Sequence, residues 1–444
     1  MLKTFPLGGV HPPENKFSES APTEELPVPA QVVIPISQHI GAPSDPVVKR
    51  GDIVKVGQLI AESKGFVSAN IHSSVSGKVA KIDGVTDSSG YRQTAITIDA
   101  EGDEWLDSVD RSEQLTKEVK LSREDILSRC HEMGIVGLGG ATFPSHVKLS
   151  VPPGKQCDTL IINGVECEPY LTSDHRLMLE KGEEMVVGIS ILMKALGVDK
   201  AMIGIENNKP DAIEHIKKIS AAYKGISVHS LKIKYPQGAE KQLIKALLNR
   251  EVPSGMLPIE VGAVVHNVGT AFAVYEAVQK NKPLIDRIVT VTGKSLANPG
   301  NYRVRIGTPV SALIDAAGGT PEDTGKIVNG GPMMGKALNK SDVPVVKGTS
   351  GIILFPASES RRVRVTPCIR CSKCITVCAM GLEPYLLMSL AERDMYDIVE
   401  ANKVTDCMEC GSCSYICPAG RPLLDYIRLG KSTVFSIIRE RNSK

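Results

Sequence analysis

The sequence has no strong excess of either charge, no long apolar run and only three cysteines outside two short clusters. A formal net charge of +2 excludes a general electrostatic attraction to nucleic acid, so no nucleic-acid partner is expected. The longest apolar stretches, such as MVVGISILM at 185–193, fall well short of the ~20 residues that cross a bilayer. The first twenty residues lack the apolar core of a signal peptide. We therefore expect a cytoplasmic chain without a transmembrane segment.

The length of 444 residues indicates several domains, because single hydrophobic cores stop growing near ~250–300 residues. Changes in the pattern of apolar residues, glycines and cysteines predict five parts. They are an N-terminal segment (1–28), a small β unit (29–112), an α/β domain (113–287), a small α+β module (288–355) and a cysteine-containing domain (356–444).

The β unit is indicated by residues 46–82, in which short Val- and Ile-rich strands alternate with glycine turns. The segments GDIVKVGQLIA and SGKV resemble the two half-strands of biotinyl and lipoyl carrier domains, which implies a hammerhead, or barrel-sandwich, fold. Phe66 occupies the position of the carrier lysine. The resemblance therefore implies the fold without swinging-arm chemistry.

The α/β domain is indicated by predicted helices and buried strands that alternate from about Ser122 to Arg287. Its first helix begins with an S-x-x-D capping pattern, Ser122 to Asp125. Such alternation predicts a largely parallel sheet covered by helices. The following segment, 288–350, returns to short strands and glycine turns with one helix, which predicts a small α+β module. This module resembles those of the β-grasp, or SLBB-like, type.

The spacing C-x2-C-x2-C-x3-C occurs twice, in TPCIRCSKCITVCAMG and TDCMECGSCSYICPAG. It resembles that of bacterial two-cluster ferredoxins, in which the fourth cysteine of each motif binds the other cluster. The resemblance implies two [4Fe–4S] clusters in a helical ferredoxin-like domain. One is assigned to Cys368, Cys371, Cys374 and Cys417, and the other to Cys407, Cys410, Cys413 and Cys378.

Zinc is the alternative occupant of these cysteines. Zinc sites usually combine C-x2-C pairs separated by a longer insert, often with histidine. No histidine follows Thr366, and three cysteines at two-residue gaps suit a tetrahedral ion poorly. We expect Cys130, Cys157 and Cys167 to be core or loop residues rather than ligands.

A glycine loop, GIVGLGGATFPSHVKL at 134–149, contains G-x-G-G, a pattern that lets backbone amides approach a phosphate. It does not match the dinucleotide fingerprint, since Thr142 stands where the third glycine belongs and a helix precedes it. By itself it could be an ordinary turn. The glutamates further on could be solvated, and Asn267 or Thr270 could cap a helix.

The loop is followed, in order, by NGVECEPY, YPQGAEKQ and VHNVGT, and together these segments resemble the flavin subunit of respiratory complex I. The resemblance implies FMN and NAD(H) as ligands. Val165 and Ala239 depart from the residues the family prefers. The implied FMN contacts are Gly137, Gly139, Gly140, Lys148, Asn163, Asn267 and Thr270; Phe143 would stack on the nicotinamide; and Glu166, Glu168, Tyr235 and Glu240 would line the NADH sugars or the flavin surroundings.

The order of parts over nearly the whole chain resembles that of the RnfC family, the C subunits of the Rnf electron transport complexes. This implies a peripheral, cytoplasmic, NADH-handling subunit of a membrane-bound ion-translocating ferredoxin:NAD+ oxidoreductase. Its partners would be the other subunits, including the ferredoxin-interacting iron–sulfur subunit. We expect hydride transfer between NADH and FMN, single-electron transfer through the clusters, and no catalytic side-chain acid or base.

Two other functions stay open at this point. One is a flavin-dependent cobalamin reductase, a family that shares the flavin domain and clusters but begins near the glycine loop. The other is a ferredoxin-like electron relay whose α/β domain is only a scaffold. Absence of flavin would favour the relay, and cob(II)alamin reduction without membranes would favour the reductase.

Overall fold

The computed structural model describes residues 2–87 and 90–442. The strands are β1 (Thr23–Glu25), β2 (Gln31–Pro35), β3 (Asp45–Pro46), β4 (Ile53–Val54), β5 (Leu59–Glu62), β6 (Ile71–His72), β7 (Gly77–Thr86), β8 (Arg92–Ala100), β9 (Thr159–Asn163), β10 (Ala201–Glu206), β11 (Ile226–Leu231), β12 (Ala263–Asn267), β13 (Asp286–Thr292), β14 (Gly300–Arg305), β15 (Thr324–Asn329), β16 (Lys336–Ala337) and β17 (Gly351–Pro356). The α-helices are α1 (Arg123–Glu132), α2 (Ser145–Leu149), α3 (Ser173–Glu180), α4 (Gly182–Leu196), α5 (Pro210–Ser220), α6 (Glu240–Leu248), α7 (Val268–Gln279), α8 (Val310–Ala316), α9 (Ala357–Ser360), α10 (Lys373–Thr376), α11 (Pro384–Ala391), α12 (Tyr396–Ala401), α13 (Ser412–Tyr415) and α14 (Leu423–Asn442).

The carrier-like unit consists of two antiparallel sheets, with strand orders β2-β8-β7-β4 and β3-β5-β6. Alternate apolar side chains of these strands, such as Ile34, Ile60 and Ile96, are fully buried between the sheets. The tip of the unit contacts the α/β domain, because the carbonyl of Phe66 accepts a hydrogen bond from His146 Nε2 at 3.1 Å. The carrier position is thus fixed against α2, while residue Phe66 as a whole is 66% exposed.

The α/β domain has a four-stranded parallel sheet of order β11-β10-β9-β12. Helices α4 and α7 pack on one face of this sheet and α6 on the other, and α1 packs against α4 and α7. The capping box predicted at Ser122 and Asp125 is present, with both reciprocal hydrogen bonds. Strands β9 and β12 end side by side, so that Asn163 pairs with Asn267 at the carboxyl edge of the sheet. Ligands of open α/β sheets bind outside this edge.

The α+β module is built on a mixed six-stranded sheet of order β1-β14-β13-β17-β15-β16. Its edge strand β1 comes from the N-terminal segment and pairs in parallel with β14. The same segment also crosses the α/β domain, where Lys3 bridges Leu231 and Val10 bridges Tyr235. Residues 1–28 therefore do not form a separate part of the fold, and β13 runs through the predicted boundary at 287/288.

The C-terminal part is helical. Helices α11, α12 and α14 pack together around Leu387, Val399 and Ile427, and the cysteine loops lie at the edge of this small core. In residues 2–87 and 90–442, no helix is both long and apolar enough to span a bilayer.

Candidate cofactor sites

The glycine loop between α1 and α2 has exposed backbone amides. Gly139 and Gly140 are exposed, and within the described ranges no protein group accepts a hydrogen bond from their amides. A Cβ at Gly139 would lie 2.9 Å from the Asn267 side chain, whereas a Cβ at Gly140 would meet nothing within 4 Å. Gly137 donates its amide to the Phe143 carbonyl at 2.9 Å, which closes the loop. The loop thus offers free donors over open space.

Lys148 places a positive charge beside this loop. It lies on the short helix α2, and its Nζ donates to Glu240 Oε1 and to the Val265 carbonyl, both at 2.7 Å. Burial, and then the charge of Lys148, lower the pKa of His266 to about 3, so His266 is neutral. Lys148, which follows the glycine loop closely in the sequence, is therefore paired with Glu240, which lies 92 residues further along the chain.

Asn163, Asn267 and Thr270 connect the loops at the carboxyl edge of the sheet. Asn163 accepts the Val165 amide at 3.1 Å, and Thr270 Oγ1 accepts the Leu138 amide at 2.9 Å. Asn267 is the N-cap of α7, since its Oδ1 accepts the Gly269 amide at 2.8 Å. The capping role considered for Asn267 is therefore present.

Asp174 orients the Asn267 side chain. Its Oδ2 accepts a hydrogen bond from Asn267 Nδ2 at 2.6 Å. Burial, and then the charge of Glu166, raise the pKa of Asp174 to about 7. Asn267 is therefore fixed at both polar atoms, because Nδ2 donates to Asp174 while Oδ1 caps α7. Gly139 packs against this fixed side chain.

Glu166 caps the following helix. It has φ = 47°, and its carboxylate accepts the amides of Asp174 at 2.8 Å and His175 at 3.2 Å in the first turn of α3. An anion at this end of a helix is stabilised by the helix dipole and the unpaired amides. The Glu166 side chain thus fixes the loop after β9 to α3.

Glu168 connects three parts of the chain. Its carboxylate accepts the amides of Met333 at 3.0 Å and Met334 at 2.9 Å, and it lies 3.3 Å from the Tyr235 hydroxyl. The Tyr235 hydroxyl also donates to the Cys410 carbonyl at 2.8 Å. Burial raises the pKa of Glu168 to about 7, which these hydrogen bonds only partly offset. The pair Glu168 and Tyr235 therefore joins the α/β domain, the α+β module and a cysteine loop.

One set of four cysteines surrounds a single cavity. Besides the thiols, the cavity is lined by apolar side chains that include Leu382, Leu387 and Ile427. Burial, followed by the neighbouring thiols of its set, raises the pKa of Cys413 to about 12. Cys378 comes from the first motif and the other three from the second. We call this the inner set: Cys378, Cys407, Cys410 and Cys413.

The remaining cysteines form an outer set near the surface, Cys368, Cys371, Cys374 and Cys417. The pKa of Cys374 is raised by burial and by the neighbouring thiols of Cys417 and Cys368. Cys368 and Cys371 are exposed. Among the described residues, no three acidic, His or Cys side chains are placed to hold a single metal ion. In a [4Fe–4S] centre each thiolate binds a different iron, so its ligands surround a volume, as the inner set does.

The inner set is the one attached to the α/β domain. Gln242 Nε2 donates to the Ala379 carbonyl at 3.0 Å, and the Gly9 amide donates to the Val377 carbonyl at 2.9 Å. Gly8 has φ = 67°, and a Cβ there would lie 2.6 Å from the Cys378 backbone. The N-terminal segment and the loop that carries Tyr235 therefore both hold the inner cysteines in place.

Sequence reasoning missed the buried cations that support these loops. Lys16 Nζ donates to the carbonyls of Glu166, Glu168 and Leu171 at 2.9, 2.9 and 2.6 Å. Burial, and then the charge of Lys209, lower the pKa of Lys16 to about 8. The segment FPLGGVHPPENK was the available signal, but nothing in it shows which loop Lys16 reaches.

Two further basic residues, Lys347 and Arg287, donate hydrogen bonds to backbone carbonyls of the glycine loop. Lys347 is buried and donates to the carbonyls of Asn70 at 2.8 Å and Gly134 at 2.7 Å, and burial lowers its pKa to about 7. Arg287 donates to the Leu138 carbonyl at 3.4 Å and to the Lys347 carbonyl. The carrier-like unit and the α+β module are thus both connected to the glycine loop.

A separate cavity of about 140 Å³ lies between α3, α7 and β13. Leu138, Asp174 and Arg287 contribute to its lining, but Gly139, Gly140 and Lys148 do not. The exposed amides of the glycine loop and Lys148 therefore do not line this cavity.

The residues present suit the cofactors implied by the sequence. Unpaired glycine amides next to a lysine form a donor set for a phosphate, and open space adjoins Gly140. Four thiols around one apolar cavity suit a cubane cluster.

Comparison with known families agrees with these features. The chain matches four family descriptions in order: the RnfC barrel sandwich hybrid domain (residues 3–103), the Nuo51 FMN-binding domain (130–276), the SLBB domain (288–337) and the 4Fe-4S dicluster domain (361–418). The predicted fold class is therefore confirmed, as are an FMN-binding domain and a domain for two [4Fe–4S] clusters. The dicluster match favours clusters over zinc.

Two relatives match almost end to end. The C subunit of the proton-translocating ferredoxin:NAD(+) oxidoreductase complex of Clostridium ljungdahlii is 49% identical over 97% of this chain and 94% of its own length. The C subunit of the Na(+)-translocating ferredoxin:NAD(+) oxidoreductase complex of Acetobacterium woodii is 45% identical over 98% of each chain. A chain of an NAD+-reducing [NiFe]-hydrogenase shares the fold with a TM-score of 0.51 at 19% identity, over 71% of this chain and 63% of that one.

The fold and the sites together define a flavin and iron–sulfur electron-transfer protein. The two relatives identify the family within this class, because they are 45–49% identical to this chain over nearly its whole length. The chain belongs to the RnfC family, the C subunits of the Rnf ion-translocating ferredoxin:NAD+ oxidoreductase complexes.

Proposed function

We propose that this chain is the peripheral NADH-handling subunit of a membrane-bound, ion-translocating ferredoxin:NAD+ oxidoreductase, located on the cytoplasmic side. It passes electrons between NAD(H), FMN and two [4Fe–4S] clusters, and its partners are the other subunits of the complex. The observation that carries the proposal is the contact between Tyr235 and the Cys410 carbonyl, which joins the candidate flavin site to the inner cysteine set.

FMN, when bound, supplies the conversion between two-electron hydride chemistry and one-electron transfer. The exposed amides of Gly139 and Gly140 would bind its phosphate, and Lys148, which is paired with Glu240, would add its positive charge to this donor set. Phe143 would hold the nicotinamide, and Glu240 would orient Lys148 through their ion pair.

The other predicted site residues would act mainly through the loops. Asn163, Asn267 and Thr270 fix the edges of the site by hydrogen bonds to backbone amides. Glu166 fixes the start of α3, and Glu168 fixes the contact with Met333 and Met334. In this proposal, therefore, these carboxylates shape the NADH site by positioning backbone.

The positions of the two cysteine sets support a path for electrons from the flavin site through the inner set to the outer set. The inner set contacts the loop of Tyr235 and Gln242, whereas the outer set contains the exposed Cys368 and Cys371. Electrons would enter or leave the clusters at the inner set on the flavin side and at the outer set on the partner side.

The test is anaerobic. The full chain is reconstituted with FMN and clusters, NADH is added, and flavin absorbance is followed together with the EPR of reduced clusters. We expect bleaching and cluster signals. Lys148→Gln should weaken FMN binding about tenfold or more, the size expected when a charge-assisted hydrogen bond to phosphate is lost. Lys155→Gln, which removes an exposed ion pair in the same domain, is the matched control. Clusters without flavin binding would refute the proposal.

A further inference from the structure

The segment that carries Cys368 and Cys371 is exposed throughout. All thirteen residues from 361 to 373 are exposed, and they include Cys368 and Cys371. We infer that this segment, the outer surface, docks an acidic electron-transfer protein that exchanges single electrons with the outer cluster. The inference rests on the proposed function and adds the place and the charge of the partner.

The outer surface carries positive charge alone. Its cations are Arg361, Arg362, Arg364, Arg370 and Lys373, and the segment contains no Asp or Glu. Arg362 pairs with Asp425, and the other four form no ion pair within residues 2–87 and 90–442. The chain as a whole is nearly neutral, with a net charge of +2. The positive charge is therefore local to the segment that surrounds two cluster ligands.

The outer surface also exposes large apolar side chains. Val363 is 69%, Val365 51% and Ile369 67% exposed to solvent. Protein interfaces commonly have an apolar centre with a polar or charged rim, and apolar patches rimmed by polar residues mark interaction sites. An apolar centre among unpaired cations fits a protein partner with an acidic rim.

The outer surface has a defined conformation. The Thr366 amide donates to the Ala419 carbonyl at 3.0 Å, and Gly420 packs against Val363 and the Arg364 carbonyl. The segment before Cys368 is therefore held along the loop after Cys417. A partner docked here would sit directly over the outer cysteines.

The chemistry at this contact is a one-electron exchange. A reduced partner cluster is oxidised by one electron and the outer cluster is reduced by one, with no bond made or broken. Opposite charges on the two surfaces raise the rate of encounter, and salt weakens this attraction. The exchange should therefore depend strongly on ionic strength.

The probe is a bacterial two-[4Fe–4S] ferredoxin of net negative charge, reduced with dithionite and then freed of excess reductant. It is mixed anaerobically with the oxidised full chain that holds FMN and both clusters, and the second-order rate constant is measured from low to high salt. Arg361→Gln/Arg364→Gln is compared with the unsubstituted chain. Lys217→Gln/Lys218→Gln, on exposed positions of α5, removes the same charge elsewhere and is the matched control.

We expect the rate constant to fall with salt, and at low salt to fall about five- to tenfold in the Arg361/Arg364 variant, given the size of electrostatic steering. The lysine control should keep the original rate. Bleaching of the flavin by NADH should be unchanged in both variants. Binding to vesicles containing phosphatidylglycerol is measured in parallel, because an anionic lipid surface is the competing ligand for such cations.

Either of two results overturns the inference. The first is a ferredoxin rate that salt and the arginine substitutions leave unchanged. The second is an unchanged ferredoxin rate together with a loss of vesicle binding, which would make the outer surface a lipid contact. If NADH fails to bleach the flavin of the unsubstituted chain, it is the proposed function that fails instead.

Discussion

Replacing Cys417 by alanine should remove the cluster of the first cysteine motif, although Cys417 belongs to the second. The reason is the grouping of the thiols, in which Cys417 lies with Cys368 and Cys374. Cys413, only four residues earlier, lies in the cavity of the inner set. The two substitutions should therefore remove different clusters.

The expected loss of iron follows from the two sets of four thiols, each of which would bind one cluster. A chain with two complete [4Fe–4S] clusters contains about eight iron atoms, and each substitution should leave about four. Cys157→Ala is the matched control, since Cys157 is distant in sequence from both motifs and donates weakly to the Thr159 carbonyl at 3.7 Å. It should keep all of the iron.

The assay combines iron and sulfide analysis with EPR after reduction by dithionite and, separately, by NADH. Cys417→Ala retains the inner cluster next to Tyr235, so NADH should still give a reduced-cluster signal. Cys413→Ala loses that cluster, so NADH should reduce the flavin with a much weaker cluster signal. If both variants lost the same cluster, the crossed ligand assignment and the inner-to-outer order would be refuted.

Three further predictions concern the loops that support the site. Lys16→Met should leave three carbonyls without their donor and lower FMN affinity at least tenfold, at about 1–3 kcal/mol for each unpaired group, as measured by flavin fluorescence. Glu168 keeps its proton in the folded chain between its ordinary pKa of 4.5 and about 7, so the free energy of unfolding should fall by up to about 3 kcal/mol as pH rises across this window. Glu168→Gln should flatten that dependence in urea titrations. Gly331→Ala should destabilise the chain by about 1–3 kcal/mol, seen as a lower thermal midpoint, because a Cβ there would lie 2.1 Å from Glu168 Oε2.

The Lys16 prediction has a matched control, and each of the three has a result that would contradict it. Lys55→Met removes an exposed ion pair of the carrier-like unit and should leave FMN affinity unchanged. An unchanged FMN affinity in Lys16→Met would show that the loop after β9 does not need its buried cation. A pH dependence that persists in Glu168→Gln would place the titrating group elsewhere, and an unshifted midpoint in Gly331→Ala would mean that the loop at Met333 can move aside.

Much of the fold could be predicted from the sequence because it rests on local patterns. The capping box at Ser122 and the parallel sheet that contains β9 and β12 follow from short-range periodicity and capping. The cysteine domain is helical, as the resemblance to ferredoxins implies, and its helices include α11, α12 and α14. Residues 1–28 were harder, because their edge strand β1 pairs with β14, nearly three hundred residues away.

For the candidate site too, local sequence patterns identify some residues, whereas other contacts depend on the tertiary fold. The glycine loop, Lys148 and the eight cysteines could be named in advance, because their chemistry depends on residue type and spacing within short segments. What Glu168 contacts could not, since Met333 and Met334 reach it from another domain. From the sequence, Asn267 could either cap a helix or contact FMN. The hydrogen bond that it accepts from the Gly269 amide shows the capping role.

The sequence by itself determined which cofactor chemistry the chain can support. Cysteine spacing, glycine amides and a nearby lysine are local properties that survive without knowledge of the fold. Only the tertiary structure decided the order of the two cysteine sets, with the inner cysteines against Tyr235 and Cys368 and Cys371 at the surface. The physical reason is that this order depends on long-range packing among Gly8, Glu168, Tyr235 and Cys410, and no short-range pattern specifies which distant segments will meet.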